Sequence, residues 1–180
     1  TDTSSPLGTP SFQKRKEIAA FNQIKRDLAK AGERISIPGT TIFSGGGFLE
    51  VGMPYVNWLV AVEFDPEIAE AYEIAHGRTP TVKDVNEFDL TNIPKNGYFH
   101  ASPSCVNYTK LKWNAVETKQ DIKSARVIAR VLNERAPVVF TLENTPRYKD
   151  SKAERIIMAA LKANGYVWDS GVYNAADYGA

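Results

Sequence analysis

The chain has 180 residues and a formal net charge of +1; 43% of its residues are hydrophobic, 24% are charged, one is cysteine and two are histidine. These values predict a globular domain with a real core and no membrane span, because no apolar run approaches the roughly 20 residues that cross a bilayer. They also argue against a disulfide framework, a structural zinc site and a protein that wraps nucleic acid by its own charge.

The first forty residues differ in character from the rest. Thr1–Pro10 is a polar tail rich in Ser, Thr and Pro, without the apolar core of a secretory signal. Apolar residues on one face predict a helix over Ser11–Ala31, and a loop containing Pro38-Gly39 follows. We therefore expect a tail and helix in residues 1–40 and the main domain in residues 41–180.

Strands and helices alternate from Thr41 onward. The predicted strands are Thr41–Ser44, Trp58–Phe64, Thr81–Val85, Tyr98–Ser102, Pro137–Leu142 and Tyr166–Tyr173. The predicted helices are Pro66–His76, Ile122–Arg135 and Ser151–Asn164, the last beginning with a capping box of Ser151 and Glu154. This order is typical of an α/β, doubly wound, Rossmann-like fold with a mostly parallel sheet.

Three short motifs follow the first three strands. Phe43-Ser44-Gly45-Gly46-Gly47 lets the backbone turn sharply and approach a ligand, although alone it also fits a tight loop. Glu63-Phe64 ends the second strand, where an acid accepts hydrogen bonds from ribose hydroxyls in nucleotide-binding folds. Asp84-Val85 ends the third. Taken singly, the acids fit solvated surface carboxylates and Phe64 fits an ordinary core residue. Taken together, the three motifs favour a binding site for a nucleoside cofactor.

Two further motifs point to chemistry at the same sheet edge. Ser102-Pro103-Ser104-Cys105 follows the fourth strand, and a lone cysteine among polar neighbours is unlike a buried structural thiol. Glu143-Asn144-Thr145-Pro146 follows the strand Pro137–Leu142. The alternative for Glu143 is a carboxylate at the entry to a helix.

The series of motifs resembles the cytosine-C5 DNA methyltransferases. It runs Phe-Ser-Gly-Gly-Gly, Glu-Phe-Asp-Pro, Asp-Val, Pro-Ser-Cys, Glu-Asn-Thr and finally Asn174-Ala175-Ala176-Asp177-Tyr178-Gly179. The order and spacing are more specific than any single motif. The resemblance covers about Thr41 to the C-terminus and implies the S-adenosylmethionine-dependent methyltransferase fold.

The resemblance also implies the cofactor and the site residues. The cofactor would be S-adenosylmethionine, bound by Phe43, Ser44, Gly45, Gly46, Gly47, Glu63, Phe64, Asp84, Val85 and Pro103. Glu63 would hold the ribose, Phe64 would pack on adenine and Asp84 would bind its amino group. Cys105 would attack C6 of a flipped-out cytosine, and Glu143 would bind the N3 and amino edge.

Several features depart from the family pattern or are absent. Phe48 stands where the family usually has glycine, Val106 where it has Gln, and Tyr108 and Thr109 where it has Phe and Ser. The Pro-Gln and arginine motifs, the target-recognition domain and the final helix of the family are missing. We expect a second polypeptide to supply them; the alternative is that the chain is a fragment.

The segment Val106–Lys123 is predicted to be a mobile loop that closes over the base. Its Lys110, Lys112 and Lys119 fit either phosphate contacts or a solvated loop. We expect double-stranded DNA as substrate, a bacterial or phage cytoplasmic location and a restriction-modification context. The alternatives are a tRNA cytosine-C5 methyltransferase and a non-catalytic partner subunit. Amino-methyltransferase and zinc deaminase chemistry are disfavoured by the residues at these positions.

Overall fold

The computed structural model describes residues 37–109 and 116–178. The predicted helix over Ser11–Ala31 lies outside them, as do Lys110 and Lys112. The chain divides into two compact units, residues 36–169 and a second unit of residues 1–35 with 170–180. The described part of the second unit contains a 3-10 turn at Ala175–Tyr178. The division into residues 1–40 and 41–180 stays a prediction.

Strands and helices alternate through the described part of the first unit. In chain order they are β1 (Ile37–Ile42), α1 (Phe48–Gly52), β2 (Val56–Glu63), α2 (Pro66–His76), β3 (Thr81–Val82), β4 (Tyr98–Ala101), α3 (Lys119–Arg135), β5 (Val139–Leu142) and α4 (Lys152–Ala163). Two 3-10 turns, Leu90–Asn92 and Pro146–Tyr148, lie in the connections.

The five strands form one parallel sheet in the order β3-β2-β1-β4-β5. This order confirms the predicted parallel α/β architecture. Because the chain reverses direction across the sheet after β3, the carboxyl ends of β1 and β4 lie side by side at the position where such folds bind ligands.

The main core lies between the sheet and the helices α3 and α4. Ile42, Phe99 and Ala101 are almost completely buried on this face and belong to one hydrophobic cluster with residues of both helices. Thr41 lies on the opposite face, because side chains alternate along a strand. Its hydroxyl donates to Glu50 of α1 at 2.7 Å. The sheet is thus covered on both faces, as a doubly wound fold requires.

Helix ends follow local sequence signals. Asp65 caps α2 by accepting from the amide of Glu67 at 2.9 Å, and Gly77 ends it at φ 64°, so the predicted Pro66–His76 helix is confirmed. Ser151 caps α4 as predicted, accepting from the Glu154 amide at 3.0 Å. The other half of that capping box differs, because the Glu154 carboxylate accepts from the amide of Asp150 instead.

Two expectations about element boundaries were wrong. β1 begins at Ile37, so Pro38 and Gly39 lie in a strand rather than a loop. Gly39 fits there because a Cβ would lie 2.3 Å from Val56 Cγ1 and 2.6 Å from Trp58 Cε3. The predicted loop Val106–Lys123 is also too long, because α3 begins at Lys119 behind its own capping box.

The predicted strand Tyr166–Tyr173 is wrong, since the structure gives these residues no strand. Val167 is 98% exposed and Tyr173 is 69% exposed. The Tyr166 amide instead closes the end of α4 on the carbonyl of Leu161 at 3.0 Å. Aromatic and β-branched composition indicates only that a segment suits a strand, and a strand forms where a neighbour pairs with it.

Candidate active site

The glycine turn after β1 is held by β2. The amide and the hydroxyl of Ser44 both donate to the carbonyl of Val62, at 3.1 and 3.0 Å. Gly45 and Gly47 have φ angles of 57° and 76°, which only glycine adopts without strain. A Cβ on Gly47 would lie 2.0 Å from Nε2 of His76, whereas one on Gly45 would meet none of the described residues within 4 Å. The turn therefore leaves open space beside Gly45.

Glu63 connects this turn to the end of β2. Its Oε2 accepts from the amide of Gly45 at 2.8 Å, and its Oε1 accepts from the amides of Phe64 and Asp65 at 2.8 and 3.1 Å. The residue is only 9% exposed. A buried carboxylate with three backbone donors is well compensated, so Glu63 fixes the relative position of the two loops.

The loop after β3 lies beside Glu63. The amide of Lys83 donates to the carbonyl of Glu63 at 2.8 Å, and Asp84 follows directly. Oδ1 of Asp84 accepts from the amide and the side chain of Asn86 at 2.9 and 2.7 Å. These bonds hold the pKa of Asp84 below its usual value. The structure thus brings the three predicted cofactor motifs to one edge of the sheet.

The hydrophobic members of these motifs differ in exposure. Val85 and Pro103 are buried, and Phe43 is partly buried with a positive φ of 57°. Phe64 is 70% exposed, and Phe48 in the position usually held by glycine is 86% exposed. The open aromatic face of Phe64 lies beside Glu63, which is where a nucleobase could stack.

Cys105 and Glu143 follow adjacent parallel strands. Cys105 is a free, exposed thiol in the loop after β4. Glu143 follows β5, and its amide extends the ladder by donating to the carbonyl of Ala101 at 3.1 Å. The carboxylate of Glu143 accepts from the hydroxyl of Ser102 at 2.6 Å. The two predicted catalytic residues therefore belong to neighbouring loops at the same sheet edge.

Two more hydrogen bonds join these loops. The Asn144 side chain donates to the carbonyl of Pro103 at 2.8 Å. The Thr145 hydroxyl donates to the carbonyl of Tyr108 at 3.0 Å. The sequence motif gives Asn144 and Thr145 no separate role, so the hydrogen bonds by which they join the two loops were not predicted. The interaction of Ser102 with Glu143 was missed as well, because no local pattern connects residues so far apart in sequence.

Two carboxylates accept hydrogen bonds from residues at the base of the loop that carries Cys105. Asp121 Oδ2 accepts from the Asn107 side chain at 2.9 Å and from the amide of Thr118 at 2.6 Å. Glu117 Oε1 accepts from the Tyr108 hydroxyl at 3.0 Å and from the amide of Ala153 at 2.8 Å. The spacing of Thr118 and Asp121 is a capping signal that sequence reasoning could have found.

The described residues contain no group of three or more His, Cys, Asp and Glu side chains that could hold a metal ion. Within the same residues, no helix is long and apolar enough to cross a membrane. Lys119 is the exposed first residue of α3 rather than part of a loop.

Residues 39–180 match the family described as C-5 cytosine-specific DNA methylase. The chain belongs to this family. The match covers most of the chain, including every motif from the glycine turn to the C-terminal Asn-Ala-Ala-Asp-Tyr series, and it confirms the resemblance inferred from those motifs.

The chain is also similar to two bacterial type II methyltransferases. The chain is 27% identical over 149 residues to the type II methyltransferase M.FnuDI of Fusobacterium nucleatum, covering 77% of this chain and 42% of the relative. It is 26% identical over 147 residues to M.NlaX of Neisseria lactamica, covering 77% and 46%. The chain thus spans less than half the length of these curated relatives.

Solved methyltransferases share the fold. The S. pombe Dnmt2 methyltransferase superposes with a TM-score of 0.54 at 16% identity, over 71% of this chain and 39% of that one. A DNA modification methyltransferase encoded in an E. coli prophage gives the same TM-score at 20% identity, over 71% and 37%. These similarities confirm the Rossmann-like methyltransferase fold of this family member.

Proposed function

We propose that this chain is the cofactor-binding and catalytic half of a DNA (cytosine-5-)-methyltransferase. The observation that carries the proposal is the placement of Cys105 and Glu143 on neighbouring loops that are tied to each other, beside the glycine turn. Family membership supports the reaction class.

The residues of the turn fit S-adenosylmethionine, which would supply an electrophilic methyl group and leave as S-adenosylhomocysteine. The open space beside Gly45 suits the methionine part, with Phe43, Ser44, Gly46 and Gly47 around it. The three amides on Glu63 use three of about four acceptor positions of a carboxylate, so one is left for a ribose hydroxyl.

The remaining cofactor contacts follow from exposure and hydrogen bonding. Phe64 presents an exposed ring for adenine. Oδ1 of Asp84 already takes both bonds from Asn86, which leaves Oδ2 for the adenine amino group. Buried Val85 and Pro103 would form the apolar floor of this site.

The chemistry assigned to Cys105 is covalent catalysis. Its thiolate attacks C6 of cytosine, so that a sulfur–carbon bond forms and electron density moves to C5, which is otherwise a poor nucleophile. Glu143 binds the N3 and amino edge and donates a proton to N3 as charge arrives there. After methyl transfer to C5 the N3 proton returns to the Glu143 carboxylate. Removal of the C5 proton by a solvent base then breaks the sulfur–carbon bond and releases the Cys105 thiolate.

The proposed substrate is a cytosine flipped out of double-stranded DNA, because the target atoms are out of reach inside a duplex. The target-recognition domain and the arginine motif are proposed to come from a second polypeptide, and the alternative is a further segment of a longer chain. The limited share of the relatives' length that this chain covers fits both arrangements. A bacterial or phage cytoplasm and a restriction-modification context are proposed from the type II relatives.

A trapping experiment tests the function. A duplex containing 5-fluorocytosine keeps the Cys105 adduct, because the fluorine at C5 cannot leave as the proton does. The chain would be mixed with this duplex and S-adenosylmethionine, alone and with a companion polypeptide that carries a target-recognition domain and the arginine motif. The adduct would be detected by intact-protein mass spectrometry. We expect an adduct in the presence of the companion, lost in Cys105→Ser and formed at least about a hundredfold more slowly in Glu143→Gln.

Three results would contradict parts of the proposal. A full adduct with the chain alone would remove the need for a second polypeptide. An adduct on 5-fluorocytosine-labelled tRNA and none on the duplex would transfer the chain to tRNA methylation. No adduct under any combination would favour a non-catalytic subunit. Val106 in place of the family's Gln is the residue that suggests this alternative.

A further inference from the structure

Ser102 and Glu143 occupy equivalent places at the ends of β4 and β5. Ala101 and Leu142 form the last register pair of these strands, so Ser102 and Glu143 are the next residues along each chain. The hydroxyl of Ser102 donates to Oε2 of Glu143 at 2.6 Å. Two residues earlier on the same face, His100 and Thr141 also bond through their side chains, at 2.8 Å. The two pairs therefore form a polar cross-strand ladder that ends at Glu143.

The contact between Ser102 and Glu143 has the length of a charge-assisted bond. An O–H donor to a carboxylate lies at about 2.5–2.7 Å, and such a bond is roughly twice as strong as a neutral one. Oε1 of Glu143 accepts no bond from the described residues, and the residue is exposed. Without Ser102 this carboxylate would sample several side-chain rotamers.

The bond is not needed to hold the two loops together. The Asn144 side chain already joins the loops through the carbonyl of Pro103, and Thr145 does so through the carbonyl of Tyr108. The amide of Glu143 is fixed separately on Ala101. What the Ser102 hydroxyl adds is control over the direction of the Glu143 side chain.

We propose that Ser102 is a positioning residue for the methyl-transfer reaction: it anchors Oε2 of Glu143 and leaves Oε1 for the cytosine edge. This inference rests on the proposed function. A carboxylate held on one oxygen presents the other in a fixed direction, and orientation of this kind supplies a large part of enzymatic rate acceleration. Ser102 itself does not touch the reacting atoms.

The test compares single and double variants in the trapping reaction, with the companion polypeptide present. Ser102→Ala should slow formation of the Cys105 adduct by about tenfold, the size expected for loss of one charge-assisted hydrogen bond. Ser102→Thr keeps the hydroxyl and should restore most of the rate. In a Glu143→Gln background, Ser102→Ala should slow the reaction by less than about twofold, because the group through which Ser102 acts is already gone.

A second readout separates positioning from a general structural defect. The rate of adduct formation is measured against the concentration of the duplex, which separates the maximal rate from the half-saturating concentration. Because Ser102 acts on the direction of the Glu143 side chain, Ser102→Ala should lower the maximal rate and leave the half-saturating concentration within about twofold of the wild-type value. Ser102→Thr should stay near the wild type in both quantities.

Different results overturn different statements. A tenfold loss of rate that is the same with and without Glu143→Gln would make Ser102 a structural residue. An unchanged maximal rate in Ser102→Ala would show that the bond does no positioning. If the wild-type protein forms no adduct, the proposed function fails, and the role of Ser102 fails with it.

Discussion

Glu63 shows how one residue can join two parts of a proposed binding site. Its carboxylate accepts from the amide of Gly45 and from two amides at the start of the next loop. Each of these donors would be left unpaired if the carboxylate were absent. Stability of the turn and affinity for the cofactor are therefore expected to depend on the same side chain.

Glu63→Gln should lower the free energy of unfolding by about 2 kcal/mol, because the amide nitrogen of Gln would face a backbone donor instead of accepting from it. Urea unfolding of the purified chain measures this value. Glu70→Gln is a matched control on the exposed side of α2 and should change it by less than about 0.5 kcal/mol. Equal effects of the two substitutions would show that the three hydrogen bonds add nothing.

At the scale of single elements, α3 is tied to the loop that carries Cys105. Thr118 caps the helix, and its hydroxyl and its amide both donate to the carboxylate of Asp121. Asp121 also accepts from Asn107 on the far side of the loop. The start of the helix and the base of the loop therefore share one buried acid.

Substitutions of Thr118 and Asp121 should reduce the free energy of unfolding by different amounts. Thr118→Ala should reduce the free energy of unfolding by about 1 kcal/mol, the usual cost of losing an N-cap. Asp121→Ala should cost about 2 kcal/mol or more, since it removes the acceptor of the Thr118 amide and hydroxyl and the acceptor of the Asn107 side chain together. Urea unfolding compares both with Gln120→Ala, an exposed position in the same turn. A cost for Asp121→Ala no larger than that for Thr118→Ala would contradict the shared role.

Sequence patterns predicted some elements better than others. Pro66–His76 carries both of its end signals, an acidic N-cap before proline and a glycine after the last turn, and its bounds were correct. Tyr166–Tyr173 has the composition of a strand but is not a strand in the structure, because strand formation depends on pairing, which a local pattern does not specify. β1 was predicted to begin at Thr41 because Pro38 and Gly39 resemble a turn. In the structure both residues pair with β2, and the close approach of Trp58 leaves no room for a Cβ at Gly39.

The residues of the candidate site could be predicted from the sequence where they belong to motifs that follow the strands in a recognisable order. The positions of Glu63, Asp84 and Glu143 at strand ends followed from strand alternation, because parallel strands place their carboxyl ends at one edge. The partners of these residues were not predictable. Ser102 and Glu143 are brought together by sheet register, a long-range property that a single sequence does not reveal.

For the whole molecule, the buried His100 makes stability depend on pH. Its Nδ1 lies 2.8 Å from the hydroxyl of Thr141, which also bonds the Tyr98 hydroxyl. Burial lowers the pKa of His100 from 6.5 to about 4. Between these two values the unfolded chain takes up a proton that the native protein excludes, so stability falls as the pH falls.

Unfolding free energies at pH 7 and pH 4 measure this effect. The wild type should lose up to about 3 kcal/mol more than His100→Asn over this range, because the variant has no imidazole to protonate on unfolding. Carboxylates titrate in both proteins, so the comparison cancels their contribution. Parallel pH profiles for the two proteins would show that His100 is not held in the neutral form.

The ties between the loops after β4 and β5 have a consequence for local unfolding. Ser102, Pro103 and Tyr108 are each bonded to a residue about forty positions away, all within one short stretch after β5. Neither loop can detach without releasing the other, so the two should behave as one cooperative opening unit in hydrogen exchange. The proposed nucleophile and its proposed acidic partner would then be lost and regained in a single event, and the protein would rarely hold one of them in place without the other.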